Sequence, residues 1–143
     1  MKTKNLVALM SRITEESNKL IVQELAAQGV DGIVPSHGGI LMLLFSGGSY
    51  TMQELAAAIH RTKPTVTVLV DKLVKLDYVR KEKSSTDSRV TYLRLTDQGK
   101  ALQPVFDRVS QTLNDCVYEG LDEGDVQHME KHLVQMLQNL QSR

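Results

Sequence analysis

The sequence has little cysteine, no long apolar run and no net charge, and the first two shortages each exclude a class of protein. Its single cysteine, Cys116, excludes an internal disulfide and a cysteine-rich zinc cage, and it fits a reducing compartment. No apolar run approaches the roughly 20 residues of a membrane-spanning helix, and the N-terminus lacks the apolar region and cleavage site of a signal peptide. We therefore predict a cytoplasmic protein without a membrane span.

Charge is balanced overall but unevenly distributed along the chain. The 17 lysines and arginines equal the 17 aspartates and glutamates, so composition alone gives no sign of a nucleic-acid partner. Between His60 and Arg94, however, nine basic residues stand against four acidic ones. A basic middle segment would direct a polyanion to one part of the molecule, although a solvated charged surface explains the same charges.

Apolar spacing predicts a long helix and a shorter one in the N-terminal part of the chain. Apolar residues recur every three or four positions over residues 6–25, and Gly29 is placed to end that helix. A second helix is expected from a cap at Ser36 to Phe45, where a Gly-Gly pair stops it. Two glycines also fall in the first turn of this helix and disfavour helix formation there, because glycine is a weak helix former.

Two short helices with a tight connection are predicted next. Thr51 and Glu54 have the spacing of a capping box, in which the hydroxyl and the carboxylate satisfy each other's backbone donors. Thr62 and Pro64 then open another helix, with a capping hydroxyl and a proline in the first turn, and this helix runs to about Leu76. Its buried face is expected to comprise Val66, Leu69, Val70 and Leu73.

Alternation replaces helical spacing after Asp77. Residues 78–83 and 90–95 alternate as strands around the polar turn 84–88, which predicts a basic β-hairpin. Two short helices followed directly by such a hairpin form a winged helix-turn-helix. The second helix of that motif fits the major groove of DNA, and the wing can reach the adjacent minor groove, whose potential attracts arginine.

Two further helices are predicted after the hairpin. Thr96 caps the first and Asp122 caps the second. Pro104 lies well inside the first of these helices and should kink it, unless the initial turns form a separate piece. The predicted fold is therefore mainly α with a small β-hairpin wing.

Two segments resemble the MarR family of bacterial winged helix-turn-helix regulators. Residues 87–100, DSRVTYLRLTDQGK, resemble the family's wing signature of Asp-x-Arg, a strand and Leu-Thr-x-x-Gly. Residues 62–81 resemble its recognition helix and first wing strand. The resemblance covers nearly the whole chain and implies a homodimer that binds a pseudo-palindromic duplex operator. It also implies a regulator that often represses and is often released by a small aromatic or phenolic ligand.

The resemblance also implies a division of the chain by role. Residues 1–143 would form a single MarR-type domain, in which residues 36–100 are the winged helix-turn-helix lobe. Residues 1–30 and 101–143 would be the dimerisation helices, because the terminal helices carry more apolar residues than one small core can cover. An isologous interface is expected from Leu6, Leu9, Met10, Val117, Val126, Met129, Leu133 and Leu137.

A set of DNA-binding residues follows from the same resemblance. Arg89 is the wing arginine expected in the minor groove, with Asp87 placed to orient its guanidinium through a charge-assisted contact. An ordinary surface ion pair is the alternative for these two, and capping or a solvated face is the alternative for the helix residues. The full set is Thr62, Lys63, Pro64, Thr65, Thr67, Val68, Lys72, Asp87, Ser88 and Arg89.

Two positions depart from the family's pattern. Val68 stands where many relatives have a polar or basic base reader, and a valine can contact only a thymine methyl group. Asp77 stands where glycine is usual after the recognition helix. Because aspartate tolerates the left-handed conformation better than most residues, we expect the turn to survive.

Several residues outside the DNA-binding set are candidates for ligand, metal or redox sites. An effector cavity between the dimerisation and DNA-binding parts could involve Met10, Arg12, His37 and Met42, with core packing as the competing interpretation. A histidine pair four residues apart, His128 and His132, has no third ligand fixed by the sequence, so we predict no metal and no cofactor. Cys116 could sense peroxide, but packing on an apolar helix face is the interpretation that we favour.

Catalytic constellations are missing from the sequence. No nucleophile–base pair or paired carboxylate set occurs, and the two Gly-Gly pairs lack the strand, spacing and lysine of a phosphate loop. We therefore predict a transcriptional regulator that binds specific DNA sequences, acts as a repressor relieved by a small-molecule effector, and is not an enzyme. The alternatives are a metal- or redox-responsive regulator and a winged-helix protein-interaction module without a DNA target.

Overall fold

A computed structural model describes residues 4–143 of the chain. By its contacts the chain divides after Val109 into a first unit and a second unit, Ser110–Arg143. Residues 1–3 of the predicted N-terminal dimerisation segment lie outside the described residues. The elements are α1 (Leu6–Ala27), α2 (Pro35–Phe45), β1 (Tyr50–Thr51), α3 (Met52–Ala58), α4 (Lys63–Lys75), β2 (Val79–Lys83), β3 (Thr91–Leu95), α5 (Asp97–Val117) and α6 (Glu123–Gln141).

The prediction of a mainly helical fold with a hairpin wing is confirmed. Strands β2 and β3 pair antiparallel, with Arg80 opposite Arg94 and Lys81 opposite Leu93. The two-residue strand β1, which the sequence pattern did not predict, pairs with the other side of β3 and gives the order β1-β3-β2. Because β1 directly precedes α3, this pairing joins the start of the helix-turn-helix to the wing.

Three helices end in the same type of turn, and two of these turns lie at the ends of the helix-turn-helix helices α3 and α4. After α1, α3 and α4, the next residue but one is left-handed: Gly29, His60 and Asp77, with φ angles of 80°, 56° and 65°. In each case two amides beyond the helix bond back to carbonyls of its last turn, as Tyr78 does to Leu73 at 3.0 Å. Asp77 therefore adopts the predicted conformation, and His60 does the same between α3 and α4 without the usual glycine.

The start of α2 differs from the prediction. The helix begins at Pro35, with Val34 in the capping position, so Ser36 lies inside the first turn and is not the cap. Proline fits this first position because its missing N–H has no partner there. The Val34 amide donates instead to Nδ1 of His37 at 2.9 Å, so an imidazole takes the place of the expected hydroxyl. The predicted caps at Thr51, Thr62 and Asp122 are confirmed.

A close approach of two backbones anchors α5 to the start of the wing. The Thr96 hydroxyl accepts the Gly99 amide at 3.0 Å, and the Thr96 amide donates to the Tyr78 carbonyl at 3.0 Å. A β-carbon on Gly99 would collide with that carbonyl oxygen, so only glycine fits. The helix then continues through Pro104 as one element, and the alternative of a separate initial piece is wrong.

One apolar core holds the first unit together. Its fully buried side chains include Ile40 and Leu41 of α2, Leu55 of α3 and Leu93 of β3. The predicted buried face of α4 is confirmed for Val66, Val70 and Leu73, whereas Leu69 is half-buried. None of the helices within residues 4–143 is long and apolar enough to cross a membrane.

Candidate nucleic-acid interface

The N-terminus of α4 presents two hydroxyls to solvent. The Thr65 amide donates to Oγ1 of Thr62 at 3.4 Å, and the two threonine hydroxyls lie 2.9 Å apart. Lys63 and Pro64 beside them are exposed. A helix N-terminus carries partial positive charge, so hydroxyls, an ammonium group and the helix dipole together form a surface suited to phosphate.

The outward face of α4 continues with a threonine and a valine. Thr67 is half-buried and donates its hydroxyl to the Lys63 carbonyl at 2.8 Å, so only its lone pairs are left for a ligand. Val68 is 71% exposed, whereas Val66 and Val70 of the same helix are buried. Isolated apolar residues are common on protein surfaces, so this exposure makes Val68 accessible to a ligand but does not by itself mark a contact position.

Lys72 lies apart from the hydroxyl end of α4. Its side chain folds against the α1–α2 loop, where Nζ is 3.8 Å from the position that a β-carbon on Gly32 would take. The lysine is two turns further along the helix than Thr65. The structure thus brings the other helix residues of the predicted set together and leaves Lys72 at the edge of the surface.

An ion pair that sequence reasoning missed joins α4 to the wing. Nζ of Lys81 in β2 lies 3.0 Å from Oδ1 of Asp71, and both side chains are about half exposed. The two residues are ten positions apart in the chain and belong to different elements, and no local pattern indicates their contact. It connects the outward face of the helix to the first wing strand.

The wing turn holds an arginine in a defined orientation. Oδ1 of Asp87 accepts the Arg89 amide at 3.0 Å and its Nε at 3.1 Å, and Oδ2 accepts Nη2 at 3.2 Å. The turn itself is closed by the Ser84 hydroxyl, which accepts the amides of Thr86 and Asp87. The Arg89 side chain remains 89% exposed, so it projects from the wing while its direction is set.

The electrostatics of this pair favour its charged form. The side-chain and backbone hydrogen bonds from Arg89 hold the pKa of the Asp87 carboxyl below its usual range. Two of the five guanidinium donors are used in the pair, which leaves the others for a ligand. The contact anticipated between Asp87 and Arg89 is therefore present. Ser88, between them, is exposed.

The four residues suggested for an effector cavity lie in different environments. His37 is buried at the start of α2, and its Nε2 atom has no hydrogen-bond partner. Burial and the nearby Lys72 cation lower the pKa of His37. Met42 is exposed on α2, Arg12 is exposed on α1 and Met10 is half-buried.

The remaining candidates are the proposed redox residue Cys116 and the histidine pair His128 and His132. Cys116 is exposed at the end of α5, so the packing expected for it on an apolar helix face is not formed within the single chain. The Nδ1 atom of His132 lies 2.6 Å from the carbonyl oxygen of His128, which engages that ring with the helix backbone. Within residues 4–143 no group of three or more metal-binding side chains is assembled.

Comparison with known proteins settles the family. The model of the MarR family matches residues 35–91, which include α2, the helix-turn-helix and the wing up to the first residue of β3. The HTH-type transcriptional regulator YcgE of Bacillus subtilis is 30% identical over 105 residues, which span 73% of this chain and 68% of YcgE. The chain belongs to the MarR family. It is a transcriptional regulator of that family, and the resemblance stated from the sequence is confirmed.

Two further MarR-type proteins show how far the likeness extends. The HTH-type transcriptional regulator MhqR of Bacillus subtilis is 27% identical over 101 residues, covering 71% of this chain and 68% of MhqR. The crystal structure of the MepR–DNA complex from S. aureus superimposes with a TM-score of 0.85 at 23% identity, covering 96% of this chain and 99% of MepR. The MarR fold therefore extends over nearly all of the chain.

Proposed function

We propose that this MarR-family regulator binds a pseudo-palindromic duplex operator as a homodimer and represses transcription until a small molecule releases it. The observation that carries the proposal is the exposed wing arginine, Arg89, held by Asp87 beside the hydroxyl-bearing helix α4. MepR, which shares the fold, was crystallised as a complex with DNA. The likeness to that complex supports a DNA target for this chain.

Helix α4 is proposed to enter the major groove with its N-terminal end. Thr62 and Thr65 then contact phosphate through hydroxyls, with Lys63 adding charge, while Pro64 fixes the first turn. Val68 faces a thymine methyl group, the one base-edge feature that an exposed valine can recognise. Thr67 accepts from a base or water because its own hydrogen is held by the helix backbone.

The wing is proposed to reach the adjacent minor groove. Its arginine needs no reorientation on binding because Asp87 already holds the guanidinium, so less side-chain entropy is lost. The remaining donors of Arg89 can bond the acceptors of the groove floor, and Ser88 can contact the neighbouring phosphate. Lys72, at the edge of the surface, contributes charge more than base recognition.

A homodimer is proposed because apolar side chains on the terminal helices have no cover in the single chain. On α1, Leu6 and Leu9 are exposed. On α6 no residue is buried, and Met129, Leu133 and Leu137 lie along one face. A second copy that covers these faces would also supply the second half-site reader that a pseudo-palindrome requires.

The decisive experiment is selection of random duplex DNA by the purified protein, repeated at several salt concentrations. Enrichment of a palindrome with half-sites about one helical turn apart, and affinity that falls steeply with salt, would support the proposal. Loss of repression in a reporter carrying that operator, on addition of an aromatic acid or phenol, would support the effector. No enrichment and no salt dependence would favour a protein-interaction module instead.

A further inference from the structure

A cavity of about 350 Å³ lies at the root of the wing, within the first unit. It is lined by the end of α2, the loop that follows it, the paired residues Arg80 and Arg94, and Lys100 of α5. This volume is in the range of pockets that hold small organic molecules. We call it the wing-base cavity.

The wing-base cavity has an excess of positive charge. Arg80 and Arg94 are direct cross-strand partners, an arrangement that is unfavourable for like charges unless an anion lies between them. Arg94 has one carboxylate partner, Glu82, at 3.0 Å from its Nε. Among residues 4–143 no carboxylate is paired with Arg80 or Lys100. Three cations and one carboxylate leave the cavity short of negative charge.

The loop that follows α2 adds a free backbone donor to the cavity lining. Gly47 and Gly48 both have positive φ, 95° and 92°, and both line the cavity. The Gly47 amide donates to the Leu44 carbonyl at 3.1 Å, whereas the Gly48 amide has no acceptor among the described residues. Backbone amides in left-handed turns are typical components of anion-binding concavities.

Three apolar side chains and the polar side chain of Gln103 form the rest of the lining. Leu44 is buried, and Phe45 is fixed by the ring of Phe106, with centroids 5.6 Å apart. Leu95 of β3 completes this apolar side. A bare inorganic anion would satisfy the cations but leave the apolar side uncovered, so the shape and chemistry fit an anion with an apolar body.

We propose that the wing-base cavity binds a small organic dianion, a phosphate monoester or a dicarboxylate with an apolar body, through Arg80, Arg94 and Lys100. The planar forks of the two arginines match either anion in a bidentate way. This site deepens the proposed function by naming a class of effector, and its regulatory meaning rests on that function. It shares no residue with the DNA-binding set or with the four effector candidates named above.

Occupancy of the cavity is expected to weaken DNA binding. Arg80 and Arg94 form the second cross-strand pair from the base of the hairpin that carries Arg89, and both belong to the basic segment of the chain. A bound dianion cancels positive charge in this segment, so attraction to DNA phosphates falls, and falls most at low salt. By reciprocity, operator DNA weakens binding of the dianion by the same factor.

The test is calorimetric titration of the full chain, without DNA, using phenyl phosphate and phthalate as probes and benzyl alcohol as the uncharged control. We expect one site per chain for a charged probe and no heat from the alcohol. The variants Arg80→Gln and Lys100→Gln change exposed side chains and should keep the wild-type urea midpoint. Each should weaken probe binding about tenfold, whereas Lys131→Gln on α6, with the same loss of charge, should not change it.

Three results would overturn the site. The first is the absence of saturable binding of either charged probe up to about 10 mM. The second is equal weakening of probe binding by Lys131→Gln. The third is that Arg80→Gln and Lys100→Gln lower DNA affinity and its salt dependence although the protein binds neither probe, which would make the cavity part of the DNA interface. Probe binding by a protein that selects no DNA sequence would support the site and contradict only its regulatory role.

Discussion

Asp87 has two opposite effects on the DNA affinity expected for Arg89, and a single substitution shows which effect is larger. The carboxylate is negative, so its repulsion from DNA phosphates should weaken binding, yet it also orients the guanidinium through two contacts. Charge alone predicts that removing Asp87 strengthens binding. Orientation predicts the reverse, because a free arginine must be ordered when it enters the groove.

We expect Arg89→Ala to weaken operator binding by about 10- to 100-fold, the range for one specific arginine contact. Asp87→Ala should weaken it by about 3- to 10-fold in spite of the more favourable net charge. Binding isotherms at two salt concentrations measure both effects, with Lys131→Ala as the control for lost charge. Tighter binding by Asp87→Ala would show that the pair is an ordinary surface contact.

His37 links the pH of the solution to the stability of the first unit. Its Nδ1 accepts the Val34 amide, so the neutral ring carries its proton on the buried Nε2, which has no partner. A second proton would have to bind Nδ1, so the Val34 amide would lose its acceptor. It would also place a positive charge on a buried ring near the Lys72 cation. Burial therefore lowers the pKa of the folded state below the ordinary value of 6.5.

We expect the free energy of unfolding to fall as pH drops below 6.5, because the unfolded chain binds the His37 proton more readily than the folded chain. The loss continues down to the folded-state pKa, with a slope of at most about 1.4 kcal/mol per pH unit. Urea denaturation between pH 7.5 and pH 5 should show a flatter profile for His37→Asn, which keeps an acceptor for Val34. The matched control is His60→Asn at an exposed left-handed turn, and an equal flattening there would contradict this assignment.

At the scale of elements, local signals and long-range contacts decided different helix boundaries. Thr51 and Thr62 act within three residues, so the sequence alone located both caps. The start of α2 depends on an imidazole that accepts a backbone amide, an unusual cap that propensity rules do not include. Strand β1 has only two residues and exists because β3 lies beside it, so no periodicity could have indicated it.

Gly99 is the position where element packing is least tolerant. We expect Gly99→Ala to lower the free energy of unfolding by about 3 kcal/mol or more, because the added methyl meets the Tyr78 carbonyl and cannot move aside. Gly38→Ala is the matched control, since nothing lies within 4 Å and the residue is helical. The control should be more stable by up to about 1 kcal/mol. If Gly99→Ala and Gly38→Ala shifted the urea midpoint by the same amount in the same direction, the close approach would be refuted.

At the scale of the whole molecule, the exposed apolar face of α6 is the feature that a single chain leaves unexplained. An amphipathic helix of 19 residues with no buried residue gains little stability by itself, because helices in water depend on burial of an apolar face. A second copy of the chain is the partner that a pseudo-palindromic operator also requires. Dimerisation and DNA recognition are thus proposed to depend on different parts of the molecule.

We expect wild-type protein to sediment as a dimer at micromolar concentration and Leu133→Asp to sediment mainly as a monomer. The charge would be placed on a face that the second copy covers, where an unpaired carboxylate is costly. Val34→Asp, also at an exposed apolar residue, should remain dimeric. A wild-type monomer under these conditions would remove the homodimer from the proposed function.

The sequence by itself determined the family, the helix-turn-helix, the wing and the Asp87–Arg89 contact. Each depends on residues close together in the chain, where capping, periodicity and turn chemistry act. Only the tertiary structure decided that Lys72 lies at the edge of the proposed interface, that Asp71 pairs with Lys81, and that the wing-base cavity collects positive charge. Those features join side chains from separate elements, and their distances depend on how helices and strands pack, which no local pattern encodes.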